Sequence, residues 1–328
     1  MDLAGQRVVV TGGAGFIGSH VVDALVELGS DVVVIDDLSV GERANLAQAE
    51  AAGARLVVGD VRDQELLDQE FAGTAVVIHM ACDNLRASLA NPQHSHEVNA
   101  TGSLLAALAA ARADVTRFVY VSSSEAYGSA VHSPMDEEHP LRPTTVYGAA
   151  KAAGELYAQA CMRAYGLPAV VVRPFNSYGP RSHSEGTSAE VIPKFTMRIL
   201  DGLPPVIFGD GSQTRDFTWV EETAQGIVAA SACDELIGEA VNIAFGRGVS
   251  IREICGLLLE ILGSELEPEF VGGRPGDVDE HYADTRKARS LLGFRAEVEI
   301  REGLERYVEL VQTQAPLGAG RSEPIRNW

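Results

Sequence analysis

Tyr147 and Lys151 stand four residues apart in Tyr-Gly-Ala-Ala-Lys, inside a stretch from 145 to 165 that reads as one long helix. Residues at that interval share a helix face. An ammonium beside a phenol favours the phenolate and lowers its pKa, so the tyrosine could act as a base near neutral pH. Upstream, residues 117–123 (Arg-Phe-Val-Tyr-Val-Ser-Ser) read as a strand running into Ser124 and Glu125. A serine hydroxyl at the end of a neighbouring strand could complete a proton relay to a substrate hydroxyl. Taken alone, this spacing also fits a surface aromatic with a lysine stem lying along it. What separates the two is whether the rest of the chain builds a site around the pair.

Residues 7–36 argue that it does. Val8, Val9 and Val10 have strand propensity, and Gly12, Gly15 and Gly18 follow at a T-G-x-x-G-x-x-G spacing. Ile17, Val21, Leu25 and Leu28 then recur at helical intervals, and residues 32–35 form a second strand ending on Asp36 and Asp37. Strand, glycine turn, helix, strand and acid make up a dinucleotide-binding unit. The glycines let the backbone approach a pyrophosphate, and the helix N-terminus offers unpaired N–H groups to it. An acid after the second strand accepts from the ribose hydroxyls and repels a 2′-phosphate, favouring NAD over NADP. The glycines by themselves would also fit a tight turn in some other parallel-sheet protein; the acid fits that less well.

The elements that must position these groups alternate. Strands are expected over 55–59, 75–81, 117–123 and 169–173, and helices over 91–112 and 145–165. Several strands are continuous apolar runs, which implies an α/β fold: a Rossmann-type doubly wound parallel sheet buried on both faces. After residue 177 the texture changes. Residues 178–190 read as a long loop, and the later segments as helices over 191–200, 221–232, 251–262, 285–292 and 301–312, with strands over 206–208 and 241–244. The expected organisation is a cofactor domain over 1–177 that takes back segments from about 206–245, a smaller substrate lobe mainly over 178–312, and a loose tail over 313–328. The chain has 328 residues and a net charge of −20, which argues against nucleic acid or an anionic membrane as partner. No apolar run is long enough to span a bilayer, and the start leads straight into a strand, so no signal peptide is expected. Cys82, Cys161, Cys233 and Cys255 are scattered and apolar-flanked, and read as reduced core residues of a cytoplasmic protein. His94 and His96 beside Glu97 invite a metal site, but residues two apart on a helix face different ways, so none is expected.

Five stretches, T-G-G-A-G-F-I-G, H-M-A-C, S-S-S-E-A-Y-G, Y-G-A-A-K and R-P-F-N-S-Y-G-P, resemble the extended short-chain dehydrogenase/reductase family, in that family's order and across about residues 6–310. The resemblance implies a nucleotide-sugar epimerase or dehydratase with a bound NAD that is internally recycled. It places Gly12, Gly15, Phe16, Ile17, Gly18, Asp36 and Asp37 around the cofactor, matches Asp60 and Val61 to an adenine-contacting pair, and puts Ala81 along the cofactor. Asn99 matches an asparagine with a cofactor-side or structural role. Tyr147 would be the base, Lys151 would lower its pKa and hold the nicotinamide ribose, and Ser123 would bond the C4 oxygen. Asn176, Arg215 and Arg274 match residues contacting the substrate diphosphate, for which guanidinium forks are suited; for any single arginine a surface salt bridge is the plain alternative. The family also implies a homodimer through the 91–112 and 145–165 helices. Cys82 departs from the family's usual alanine.

Glu125 bears on the reaction. Two positions before Tyr127, the family's 4-epimerases tend to carry a neutral residue, while its 4,6-dehydratases and uronate decarboxylases carry glutamate. A C4 ketone acidifies C5–H, and a carboxylate suits that proton. Elimination also needs an acid for the departing hydroxyl, and Ser124 stands where the dTDP-glucose enzymes have an aspartate; the GDP-mannose type resembles this Ser-Glu pattern more closely. Gly272-Gly-Arg-Pro-Gly replaces the decarboxylase branch's Arg-Arg-Lys-Pro-like stretch. The leading expectation is a 4,6-dehydratase, with a 4-epimerase as alternative and Glu125 then a structural carboxylate. A non-catalytic NAD-sensing protein is the third, against which Ser123, Tyr147 and Lys151 speak. The loop over 181–190 is expected to border the sugar or nucleotide, and His183 within it reads as a solvated loop residue, with substrate contact as the alternative.

Overall fold

The computed structural model describes residues 1–183, 190–273 and 278–314. In chain order its first part is β1 (Arg7–Thr11), α1 (Phe16–Glu27), β2 (Asp31–Asp36), α2 (Ala47–Ala51), β3 (Arg55–Val58), α3 (Gln64–Phe71), β4 (Val76–His79), α4 (Leu85–Ala90) and α5 (Pro92–His96). A π-helical turn over Glu97–Gly102 leads into α6 (Ser103–Arg112), followed by β5 (Arg117–Val121), α7 (Val146–Tyr165) and β6 (Ala169–Pro174). These strands and a later one form a seven-stranded sheet, all of whose pairings are parallel. The β-branched runs sit at its centre: Val8, Val9 and Val10 lie between Val32, Val33 and Val34 on one side and Val76, Val77 and Ile78 on the other. Alternation of side chains across the sheet splits the core in two. Val8, Val10, Val32 and Val34 pack with Val21, Val22 and Leu25 of α1, while Val9, Val33, Ile35 and Val77 pack with Leu67 and Phe71 of α3 and the alanines of α6. Strand order reverses at β1, which has β2 on one side and β4 on the other, and ligands bind at the carboxyl edge of such a switch point.

The remaining elements are β7 (Asn176–Tyr178), α8 (Val191–Leu200), β8 (Val206–Phe208), β9 (Thr214–Trp219), α9 (Val220–Ala232), β10 (Ala240–Ile243), β11 (Gly248–Ser250), α10 (Ile251–Ile261), β12 (Glu269–Val271), α11 (Arg286–Leu292) and α12 (Ile300–Gln314). A three-stranded sheet ordered β11-β9-β7 and a β12-β8 pair share a second core with α8, α10 and α12. Later in the chain α9 packs on α1, and β10 joins the large sheet beside β6. β8, near the start of the segment expected to return, pairs with β12.

Other expectations shift. The 91–112 segment is helical but passes through a π turn, and α4 precedes it. Of the four cysteines only Cys161 and Cys255 are buried; Cys233 is half-buried and Cys82 exposed. Residues 313 and 314 extend α12, and the rest of the expected tail, like positions 184–189 of the expected loop, lies outside the described residues. Among the described residues no helix is long and apolar enough to cross a membrane.

Candidate functional site

A cleft of about 570 Å³ runs along the carboxyl edge of the large sheet and into the second lobe. That volume is in the range of small-molecule and cofactor sites. Its floor at one end is the glycine turn. Gly12 has φ +71°, and a Cβ there would stand 2.6 Å from the Ala81 backbone nitrogen; a Cβ on Gly18 would collide with the Gly12 carbonyl. Both positions therefore require glycine. Asp36 locks the turn: its Oδ2 accepts from the Ala14 N–H and its Oδ1 from the Leu38 N–H, each at 2.9 Å. Burial raises its pKa against those two bonds. Gly12, Gly15, Phe16, Ile17, Gly18 and Asp36 all line the cleft, as do Asp37, Asp60, Val61 and Ala81. The Asp60 carboxylate is engaged by the Arg62 guanidinium, which holds it below the usual carboxylate range. The Asp37 carboxylate accepts the Ser39 N–H and hydroxyl.

Asn99 does not reach the cleft. It is buried, accepts from the Asp83 N–H, and donates to the Asp83 carbonyl and Ser95. Its role is to hold the loop after β4. Beneath that loop lies a relay that joins Thr11 and His79, the leading residues of two of the five stretches, to Ser103. The Ser103 hydroxyl donates to the Asn99 carbonyl, so it can only accept from His79 Nε2–H; His79 Nδ1 then accepts from Thr11, whose oxygen receives the Met80 and Ala81 N–H groups. Burial drives His79 down to about 3, so the imidazole is neutral.

At the sheet's centre the catalytic candidates converge. Thr145 caps α7 through the Gly148 N–H at 3.0 Å and so fixes the turn carrying Tyr147. Gly154 lets α7 lie against the Tyr120 ring, where a Cβ would clash. Ser123, Glu125, Tyr147 and Lys151 line the cleft, and the Tyr147 phenol hydrogen-bonds Ser123. The expected lowering of the phenol does not appear. Surrounding protein raises it well above the ordinary 10, foremost by desolvation and then by Cys82, while the bond to Ser123 pulls the other way. Lys151 donates to the Val121 carbonyl at 2.8 Å, and burial lowers its own pKa. Without added positive charge the tyrosine is a neutral phenol at neutral pH.

Ser124 also departs from expectation. It is buried and absent from the cleft wall, and its carbonyl accepts the His281 Nε2–H at 3.1 Å. It sits in a 3-10 turn, where successive side chains swing by about 120°, so its neighbours face the cleft and it does not. Asn176 and Arg215 line the far end. Arg215 Nη1 donates to the Thr214 and Val278 carbonyls, which orients its guanidinium. Arg274 lies outside the described residues. His183, expected to be solvated, is half-buried at the cleft with its ring edge-on to Phe16 at 6.5 Å, and burial lowers its pKa. Glu190, which closes the loop expected to border the sugar or nucleotide, lines the wall; Lys194 and Arg198, also in the wall, carry no expectation from the sequence, though their four-residue interval with Glu190 across the start of α8 was a usable signal. Cys82 lines the cleft as well.

A parallel sheet with a glycine cradle at its switch point, and a tyrosine and lysine on one helix over the same cleft, define a dinucleotide-dependent enzyme of the short-chain dehydrogenase/reductase type. Residues 8–244 match the model of the NAD dependent epimerase/dehydratase family, and the chain belongs to that family. It is 35% identical over 315 residues to the UDP-glucose 4-epimerase of Mycolicibacterium smegmatis, covering 94% of this chain and 100% of that one. It is 35% identical over 314 residues to the dTDP-glucose 4,6-dehydratase of Streptomyces niveus, covering 93% and 92%. The dTDP-glucose 4,6-dehydratase of Streptomyces venezuelae, solved with NAD bound, superimposes with a TM-score of 0.88 at 35% identity, covering 94% of this chain and 97% of that one. The protein is an NAD-dependent enzyme.

Proposed function

We propose that the chain is a nucleotide-sugar 4,6-dehydratase working through a 4-keto intermediate. The observation that carries this is Glu125, whose carboxylate shares the cleft wall with the Tyr147–Ser123 pair and lies near enough to oppose ionisation of the phenol. The glycine cradle fits a dinucleotide: Gly12, Gly15 and Gly18 would take its pyrophosphate, Asp36 or Asp37 its ribose, Asp60 and Val61 its adenine, with Ala81, Tyr147 and Lys151 along the nicotinamide half. Bound NAD would supply the two-electron acceptor for C4 and would later give the hydride back, and its oxidised form would bring positive charge into the cleft. Once its proton is released to solvent, Tyr147 as a phenolate would take the proton of the sugar's C4 hydroxyl, oriented by Ser123. The resulting ketone acidifies C5–H. Glu125 would take that proton, become a carboxylic acid, and pass it to the departing C6 hydroxyl, which leaves as water; return of the hydride to C6 and of a solvent proton to C5 would complete the 6-deoxy-4-keto product with no net redox change. One carboxyl thus does both proton transfers, which suits a wall from which Ser124 is turned away. Asn176 and Arg215, with Arg274, would hold the diphosphate.

A 4-epimerase is the second reading. It is favoured by the missing second acid: Ser124 presents no group to the leaving hydroxyl, and epimerases stand among the relatives as close as dehydratases. Turnover in heavy water separates the two. A dehydratase should place deuterium at C5 of a 6-deoxy product; product without deuterium that keeps its 6-hydroxyl makes the enzyme an epimerase.

The assembly we propose is a homodimer through α6 and α7, since α7 leaves Leu156 (59%) and Tyr165 (64%) exposed. Sedimentation as a monomer at micromolar concentration would count against it. Four free thiols, one of them in the cleft, fit a reducing compartment such as the cytoplasm.

A further inference from the structure

Glu190 stands immediately before α8, and its carbonyl accepts the Lys194 N–H at 3.0 Å. Its side chain lines the cleft, and its Oε2 is buried with no hydrogen-bond partner among the described residues. Buried polar atoms in folded proteins are paired, so one left open on a binding wall points to a ligand atom. The ionisable groups it faces are Arg86 of α4 and the Tyr307 phenol of α12. Arg86 closes the segment that starts with Ala81 and Cys82, and Cys82 stands beside Tyr147. Glu190, Arg86, Cys82 and Tyr147 thus line one cleft.

Taking the cleft as a nucleotide-sugar site, we propose that Glu190 is a specificity-determining residue whose open carboxyl oxygen hydrogen-bonds a hydroxyl of the substrate's sugar. Burial raises the group to about 8, so at neutral pH it is largely the uncharged acid. An uncharged carboxyl both donates and accepts, and so does a sugar hydroxyl, so the two match in either direction. A phosphate oxygen can only accept, and an ionised carboxylate would repel it. A wall built to pair with a hydroxyl discriminates against sugars that lack it, because the buried group is then left unpaired.

The test is calorimetric titration of the NAD-loaded wild type, Glu190→Gln and Glu190→Ala with UDP-, dTDP-, GDP- and CDP-glucose and with the corresponding free nucleoside diphosphates. NAD affinity serves as the check that each variant is folded. Glu190→Ala should weaken binding of the preferred nucleotide sugar about tenfold, the worth of one hydrogen bond to a buried group, and leave the free diphosphate unchanged. Glu190→Gln, which also donates and accepts, should keep most of the affinity. Equal sugar binding by wild type and Glu190→Ala overturns the assignment, and so does a parallel loss for the free diphosphate, which would put Glu190 at the phosphates. If the wild type binds NAD but none of the nucleotide sugars, the functional reading itself fails and this assignment goes with it.

Discussion

Glu155 lies one helical turn beyond Lys151 and receives two nitrogens of the Arg173 guanidinium, Nε at 3.0 Å and Nη2 at 2.7 Å, in a pair that is almost wholly buried. The same carboxylate accepts the Ser122 hydroxyl, and Arg173 also donates to the Tyr127 hydroxyl and the Glu137 carbonyl. The pair thus ties α7 to β5 and β6 directly behind the cleft. The parallel-sheet core positions the strands, while this polar knot fixes how α7 sits on them.

Breaking that knot on one side should be costly. Glu155→Ala leaves a buried guanidinium without its counter-charge, for which about 3–5 kcal/mol is expected. Replacing both residues by apolar ones of similar volume should cost clearly less, since the desolvation of two charges is recovered. Urea unfolding of the two single variants and the double variant measures this. A double variant as unstable as the worse single one would mean that the hydrogen bonds to Ser122 and Tyr127, and not the ion pair, hold α7.

Tyr147 is a neutral phenol in the protein alone, because desolvation outweighs its bond to Ser123. Ionisation should therefore depend on the cofactor. Adding oxidised NAD should produce a phenolate difference absorbance near neutral pH that is absent in Tyr147→Phe. The same substitution should lower kcat by about 10²–10⁴, the usual worth of a positioned general base. A phenolate signal already present before NAD is added would show that Lys151 ionises the tyrosine unaided.

His79 gives a pH-dependent prediction with a fixed sign. Its imidazole falls from 6.5 to about 3 on folding. Above 6.5 both states are neutral and the group contributes nothing to the slope. Below 6.5 the unfolded chain takes up a proton that the folded protein refuses, so stability falls from about pH 6.5 down to about 3 and then levels off. Asp216, buried and raised to about 7, tilts the wild-type curve the opposite way across much of this range. The wild type should therefore be compared with His79→Asn by unfolding at several pH values. The difference between them should shrink as pH drops from 6.5 toward 3; a difference constant with pH would mean that His79 is not the titrating group.

The parts of this molecule that depend on local order were legible. Gly12 and Gly18 are demanded by contacts within one turn, the apolar runs Val8 to Val10 and Val32 to Ile35 declare buried parallel strands, and Tyr147 and Lys151 share a face because a helix has one period. What escaped was set by neighbours distant in sequence. β7, β11 and β12 have three residues each and acquire their strand character from partners tens of residues away. Ser124 looked like a cleft residue until the 3-10 turn and His281 showed it facing inward. The phenol's acidity could not be judged from the lysine four residues on, because the lysine is spent on Val121 and the dominant effect is burial by several elements at once. Cys82 was assigned to the core on its apolar flanks, yet the strand ends before it and leaves it in the cleft.

Glu125 divides the two reactions, and one substitution tests both its role and its limits. Glu125→Gln keeps the side chain's size on the wall beside Tyr147 but cannot take a proton from C5. Tyr147, Ser123 and Lys151 remain, so oxidation at C4 should still proceed and reduced nicotinamide should accumulate on mixing with substrate. Elimination should then be slowed by about 10²–10⁴, the range for losing a positioned base, and deuterium from heavy water should no longer enter C5. Stopped-flow absorbance and mass analysis of the quenched mixture read the two steps separately. If Glu125→Gln turns over at the wild-type rate, its carboxylate does no proton transfer, and the epimerase reading gains at the expense of the dehydratase. If instead reduced nicotinamide never appears, the substitution has disturbed Tyr147, and the Ser123–Tyr147 hydrogen bond depends on Glu125 in a way that the turn between them alone does not provide.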